Sequence, residues 1–305
     1  MRLVALATLT VFALLGSPAA RAEHSDATPG DPASSRLAIR VVEGDWGRAS
    51  PKDIEAVLYS AAAELWAHVA DRKPLAIIVV PVAGHPRALY EKTRSGEYVV
   101  GLSARDRRWS QFAYQFAHEL CHLMANFDQR MSDAGAPLTR HQWFEETLCE
   151  AAALFTLRRM AVTWESSPPF AHWRSYAPWL REFADLTLAA EPTRGAHAGA
   201  LASWFAANRQ TLAHDPYARE LNDVCAAALL PLFEAEPEQW NAVRYLNRGG
   251  SAAAATFPDY LQRWHGSAPE RHRRLIEELA AAFGLARPGS RTGVALAGAP
   301  SAATR

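Results

Sequence analysis

The sequence predicts an α+β fold in which a small N-terminal sheet with helices gives way to helices alone. Two observations predict it. Short, β-branched apolar runs of strand length fall only within about the first hundred positions. From about residue 108 to Phe283, apolar residues instead recur at helical spacing between Pro and Gly breaks. With 49% hydrophobic residues, ten Trp and twelve Phe among 305, a sizeable core is expected. The 32 basic and 32 acidic side chains balance, which removes the electrostatic case for nucleic acid or an anionic membrane surface.

The elements follow in order. Arg2, the apolar run Leu3 to Leu15, the breakers Gly16-Ser17-Pro18 and the small-x-small Ala20-Arg21-Ala22 have the form of an export signal over residues 1–22. The run is too short to span a membrane, and no later segment approaches a span. The expectation is an exported protein, periplasmic or secreted, with no stable membrane span after signal cleavage. Residues 23–35, rich in Ser, Asp, Pro, Gly and Ala, are expected to form a disordered leader.

Leu37 to Val42 has the pattern of a first strand. Ser50 caps a helix expected over Lys52 to Ala70, with Pro51 at its first position. Leu75 to Val82 suits a buried strand. Ala88 to Lys92 and Glu97 to Ser103 flank Thr93-Arg94-Ser95-Gly96, a hairpin turn. Long helices are expected over Arg108 to Phe127 and His141 to Thr163, joined by a loop containing Asp133, Gly135 and Pro137. Ser166-Ser167-Pro168-Pro169 marks a break. Helices then continue with interruptions near Pro192, Pro216, Gly249-Gly250 and Pro258. The divisions expected are a site-bearing lobe over 36–165, a helical C-terminal lobe over 166–285 and a disordered tail over 286–305. Helical spacing makes the Trp and Phe of the second lobe core residues rather than the lining of a groove. Of the three cysteines, Cys121 and Cys149 are the preferred pair for a disulfide in an oxidising compartment. The alternative is that Cys121, Cys149 and Cys225 are all small buried hydrophobes.

The chemistry concentrates on the two long helices. His118-Glu119-Leu120-Cys121-His122 places two imidazoles four residues apart on one helical face, where both can reach a single ion. Glu119 lies about a quarter-turn round, where a carboxylate can accept a proton from activated water without being a ligand. Gln111, Gln115, His118, His122 and Asn126 form one polar stripe, opposed by Phe112, Phe116, Leu120, Leu123, Met124 and Phe127. On the second helix, Glu146 and Glu150 are also four apart, in a segment otherwise apolar almost all round. Like charges at that spacing repel, and buried carboxylates need partners. A divalent ion on Glu146 and a histidine N–H on Glu150 would meet both needs. Glu145 points to another side of the helix and is expected to be solvated. Asp128 is a rival third ligand, at the spacing of H-E-x-x-H-x-x-G-x-x-D, but Ala125 stands where that pattern has Gly to turn the chain. Met124-Ala125-Asn126-Phe127 is expected to continue the helix without a break.

These residues resemble the gluzincin metallopeptidases, over roughly residues 75 to 165. H-E-L-C-H on a helix after the strand Glu97 to Ser103 is the first match. Trp143-Phe144-Glu145-Glu146 is similar to the family's aromatic-x-Asn-Glu segment, with Glu145 where Asn is usual, and the run ending at Glu150 parallels E-x-x-x-D. The resemblance implies Zn2+ held by His118, His122 and Glu146, with Glu150 supporting His118. It also implies that Glu119 is the catalytic base and that a peptide pairs with the strand before the first helix. An oxyanion donor is implied downstream of the third ligand, with Tyr176 and His172 as first candidates and Tyr217 and His214 as weaker ones. The gap of 23 residues between His122 and Glu146 is wider than in the better-known members, and the C-terminal lobe has no counterpart.

The expected function is zinc-dependent hydrolysis by metal-activated water, with a peptide or protein as substrate. Two alternatives stand beside it. One is a non-catalytic periplasmic module that binds metal or a partner on a zincin fold. The other is a hydrolase of a different bond, such as a cell-wall cross-link, since the motif speaks to activated water and not to the acyl group. Oligomeric state is left open by the sequence.

Overall fold

The computed structural model describes residues 37–69, 74–130, 141–190, 197–248 and 254–289. The expected signal and leader, the loop with Asp133, Gly135 and Pro137, the breaks at Pro192 and Gly249-Gly250, and the tail beyond Gly289 lie outside the described residues.

The architecture is α+β. A four-stranded mixed sheet is built from β1 (Leu37–Val41), β2 (Leu75–Pro81), β3 (Arg87–Ala88) and β4 (Tyr98–Leu102), in the order β1-β2-β4-β3. β1 and β2 pair in parallel with Leu37 opposite Leu75. β2 and β4 pair in parallel with Ile77 opposite Tyr98. β3 turns back antiparallel on β4, with Arg87 opposite Gly101. The turn at Thr93 to Gly96 forms as expected: the N–H of Thr93 donates to the Glu97 carbonyl at 2.9 Å, and Gly96 sits at φ +85°.

The pairing corrects one expectation. β4, the strand before the first motif helix, is paired on both sides, so it is not the edge. The edge beside the cleft is β3. The opposite edge is covered. From α1 (Pro51–Trp66), Tyr59 Oη accepts from Ile39 N at 2.8 Å and Glu55 Oε1 accepts from Val41 N at 2.8 Å. Side chains thereby satisfy the outer backbone groups of β1, which would otherwise invite another strand.

α1 begins where the Ser50 cap and Pro51 indicate, with Ser50 Oγ accepting from Asp53 N at 3.1 Å. It ends at Trp66, four residues short of the expected Ala70. The first motif helix, α2 (Trp109–Met124), stops at Met124 and does not run on to Phe127. Asn126 takes a left-handed φ of +56°, a conformation Asn tolerates better than most residues, and a short 3-10 turn follows from Phe127. The second motif helix, α3 (Gln142–Ser166), is buried on most of its faces and packs against α1 and α2. It also meets α4 (Ala177–Leu188) and α6 (Arg219–Ala235).

The remaining helices are α5 (Ala198–His214), α7 (Phe257–Ser267) and α8 (Glu270–Ala282), with a 3-10 segment at Pro237–Tyr245 before α7. Trp143 of α3 packs on Phe205, Phe257 and Phe283 with ring centroids 4.8–5.7 Å apart. Most Trp and Phe of the helical half thus serve as core, in one continuous apolar cluster with the sheet, but Trp179 is exposed and Phe183 lines the cleft described below. No helix among the described residues is long and apolar enough to cross a membrane.

Candidate metal centre

α2 and α3 lie side by side, and their facing sides meet at a cleft of about 660 Å³. The volume suits a bound ligand or a stretch of polymer chain. His118 and His122 project into the cleft from α2, and Glu146 and Glu150 from α3. The structure thus brings these four residues together. The Nε2 atoms of His118 and His122 are 3.2 Å apart. Glu146 Oε2 lies 3.3 Å from His118 Nε2 and 3.3 Å from His122 Nε2. The three atoms form a nearly equilateral triangle.

Each imidazole is held from behind. His122 Nδ1 is 2.6 Å from Glu145 Oε1, and His118 Nδ1 is 3.5 Å from Glu150 Oε2. The close Glu145 contact favours a proton on His122 Nδ1, which leaves Nε2 as the nitrogen His122 turns to the triangle; the contact behind His118 is looser. Two ring nitrogens and a carboxylate oxygen then converge on one point. Such a set suits a cation. For tetrahedral zinc with bonds of about 2.0–2.1 Å, ligand atoms stand about 3.3–3.4 Å apart, and the observed triangle fits that spacing.

The charges follow from this packing. Burial disfavours the charged form of His122, but the Glu146 and Glu145 carboxylates outweigh it and raise the imidazole well above its ordinary range. Burial would push Glu146 up, yet His122 and His118 hold its carboxyl well below the usual carboxylate range.

A second donor set overlaps the first. His118, His122 and Cys149 each offer a ligand atom, all within 4.8 Å of one another, and could hold a metal ion. The Cys149 thiol is fully buried, and burial followed by the neighbouring Cys121 pushes its pKa well above that of a free thiol. It therefore offers a protonated sulfur where Glu146 offers an anion. Cys121, Cys149 and Cys225 are all buried free thiols, so the preferred disulfide is not formed; Cys121 and Cys149 are neighbours.

Glu119 is 3% exposed, and its carboxylate accepts a hydrogen bond from the backbone of Ala88 in β3. Burial raises its pKa, against the pull of His118 and His122. A carboxylate so placed is a good proton acceptor. Glu150 is pushed up to about 8, first by burial and then by the nearby Asp223 carboxyl. Tyr114 donates its hydroxyl to Glu150, and Arg219 Nη2 donates to the same Tyr114 oxygen at 2.8 Å. Tyr114, Arg219 and Asp223 all line the cleft; Tyr114 stands four residues before His118 on the same face, whereas Arg219 and Asp223 arrive on α6, where helical spacing gave no sign of them.

Glu145 corrects the sequence reading most sharply. It was expected in solvent and is fully buried, accepting from His122 and, on its other oxygen, from Asn247 at 2.6 Å. The signal was present: a helix apolar nearly all round has no solvated side, so its carboxylates on every face need partners. Asn126, expected in the polar stripe of the cleft, turns away and donates to the carbonyls of Arg244 and Leu246 at 2.9 Å each.

Asp128 does not join the triangle. Its carboxylate accepts from Tyr98 Oη at 3.0 Å and pairs with Lys92 Nζ at 3.1 Å. The first-choice oxyanion donors lie elsewhere: Tyr176 Oη sits 3.3 Å from Ser110 Oγ, and His172 stacks on Phe170. Neither they nor His214 line the cleft, whereas Tyr217 does, with its hydroxyl 2.5 Å from Gln142 Nε2. No protein-family model matches the chain, and no curated protein is significantly similar to it.

Proposed function

We propose that this chain is an exported zinc-dependent hydrolase of the gluzincin type, acting on peptide bonds. The observation that carries the reading is the triangle of His118, His122 and Glu146 with edges of 3.2–3.3 Å, beside a buried Glu119. Between Glu146 and Cys149, the third ligand is Glu146: its carboxyl is ionised and equidistant from both imidazoles, while Cys149 would first have to lose a tightly held proton. A bound zinc supplies Lewis acidity, which lowers the pKa of water and polarises a carbonyl.

The chain's own residues do the rest. Glu119 accepts the proton of the attacking water and delivers it to the leaving nitrogen. Burial favours this, since it makes the neutral, proton-carrying form of Glu119 accessible. Glu145 and Glu150 keep the two imidazoles aimed. The substrate backbone lies along β3, the sheet edge that borders the cleft, by strand addition. Tyr217 and Arg219 are the donors in the cleft suited to the developing oxyanion.

Elemental analysis of the purified protein tests the site. We expect one zinc per chain in wild type, Asp128→Ala and Glu119→Gln, and loss or weakening of zinc in Glu146→Ala but not in Cys149→Ala. Loss in Cys149→Ala with retention in Glu146→Ala would reassign the ligand. A fluorogenic peptide library then tests the hydrolysis. A wild type that takes up no metal when zinc is offered would defeat the reading.

A further inference from the structure

The hydrogen bonds that hold His122 do not end at Glu145. Asn247 lies 102 positions further along, after the 3-10 segment of the helical half, and is 2% exposed. Its Nδ2 donates to Glu145 Oε2 at 2.6 Å and to the Ala125 carbonyl at 2.9 Å. Its Oδ1 accepts from the hydroxyl of Tyr260, a fully buried residue of α7, at 2.8 Å. Only one orientation of the amide satisfies these partners. Turned over, Oδ1 would face two acceptors within 3 Å, a costly arrangement in a buried site.

The direction of each bond then follows. The Tyr260 hydroxyl orients the amide of Asn247, and the amide N–H occupies Glu145 Oε2. Glu145 Oε1 is left for the Nδ1–H of His122, so His122 Nε2 faces the triangle. We propose that Asn247 and Tyr260 are positioning residues of the candidate metal centre, fixing the orientation of His122 and its Nδ1–H bond through Glu145. This inference rests on the metal-centre reading above.

The backbone supports the same connection. Asn247 adopts φ +60° and Asn126 φ +56°, each in the left-handed region. They exchange bonds across the seam: Asn247 donates to the carbonyl at the end of α2, and Asn126 donates to the carbonyls of Arg244 and Leu246. The two asparagines clasp the helical half to α2, but only Asn247 touches Glu145. That difference separates positioning from simple docking.

The experiment uses the full chain and three variants. Asn247→Gly keeps the left-handed backbone and deletes the amide. Tyr260→Phe removes one hydroxyl. Asn126→Gly breaks the clasp on the side that does not reach Glu145. Zinc affinity is measured by competition with a chromogenic chelator, alongside the melting temperature of each metal-free protein. Loss of a buried partner behind a metal-binding histidine typically weakens affinity by about 10–100-fold. We expect a loss of that order in Asn247→Gly and a smaller one in Tyr260→Phe. Asn126→Gly should bind zinc like wild type, although its melting temperature falls.

Weakened zinc binding in all three, in step with their melting temperatures, would reduce Asn247 to a docking residue and overturn the proposal. So would wild-type affinity in Asn247→Gly. A second readout needs no metal: the ring N–H resonance of His122 in the zinc-free protein, observed with 15N-labelled histidine. We expect a protected, downfield Nδ1–H in wild type and Asn126→Gly, and its loss in Asn247→Gly. If wild type binds no zinc but shows this pattern, the metal reading fails and the positioning of His122 stands. If the resonance is indifferent to Asn247, the positioning fails on its own account.

Discussion

At Glu119, burial and charge pull in opposite directions: the low-dielectric surroundings raise the carboxyl's pKa, while His118 and His122 lower it, and burial prevails. Replacing it with Gln keeps the shape and removes the proton acceptor. Glu119→Gln should therefore retain zinc while peptide turnover drops by roughly 10²–10⁴-fold, the range for loss of general base catalysis. Metal analysis and a fluorogenic peptide assay on the same preparation check both halves. Glu145 calls for a different outcome. In Glu145→Gln an amide faces the amide of Asn247, so one of two buried bonds must fail. Zinc affinity should fall by about 10-fold or more, and the chelator competition reads it directly. These residues also mark how far the sequence could be read. His118, His122, Glu146 and Glu150 were legible because helical spacing alone decides which of them share a face. The burial of Glu145 was signalled by the same apolar helix, but its partner Asn247 was not legible, because it arrives from 102 positions away.

Among the elements, the ends of helices and the order of strands govern the cleft. α1 starts at the Ser50 cap, whose signal is local and was legible. Ser50→Ala should cost about 1 kcal/mol, the usual worth of such a cap, and urea denaturation would show it without any change in zinc affinity. The end of α2 was misread because neither Gly nor Pro marks it; the left-handed Asn126 ends the helix and is held by carbonyls of the helical half. Strand order was equally hidden. Residues that form a hairpin do not reveal which strand a third partner will cover, and β2 covers β4. Gly101 shows the consequence. A Cβ there would lie 2.6 Å from Val82 Cγ1, and β4 is fixed by a partner on each side. Gly101→Ala should destabilise the fold by about 1–3 kcal/mol, as overpacking does. The melting temperature and the β3–β4 amide exchange rates would both report it.

For the whole molecule, α3 is the shared wall: one end carries the candidate ligands and much of its surface is core for both halves. The helical half had no recognisable counterpart in the sequence reading, yet its residues complete the surroundings of the candidate metal centre. Its own seam is polar as well as apolar. His272 of α8 is 2% exposed and sits against the 3-10 segment that leads to Asn247. Its Nδ1 donates to Gln239 Oε1 at 2.9 Å, and its Nε2 accepts from Asn241 Nδ2 at 3.0 Å and Arg271 Nε at 3.2 Å. Protonation would set a new N–H against two donors. Burial, reinforced by Arg271, accordingly lowers the imidazole's pKa below its ordinary value, with Glu238 opposing. The sign of the pH effect follows. Above about pH 6.5, the ordinary histidine value, His272 is neutral in both folded and unfolded chains and stability does not depend on it. As pH falls through that value the unfolded chain takes up the proton first, so stability is lost progressively until the folded pKa is passed. The melting temperature of wild type should therefore decline below about pH 6.5 more steeply than that of His272→Gln, whose side chain cannot titrate. Parallel curves for the two proteins over that range would show that His272 is not a source of acid sensitivity. Converging curves would locate the loss at the packing of α8 on the 3-10 segment.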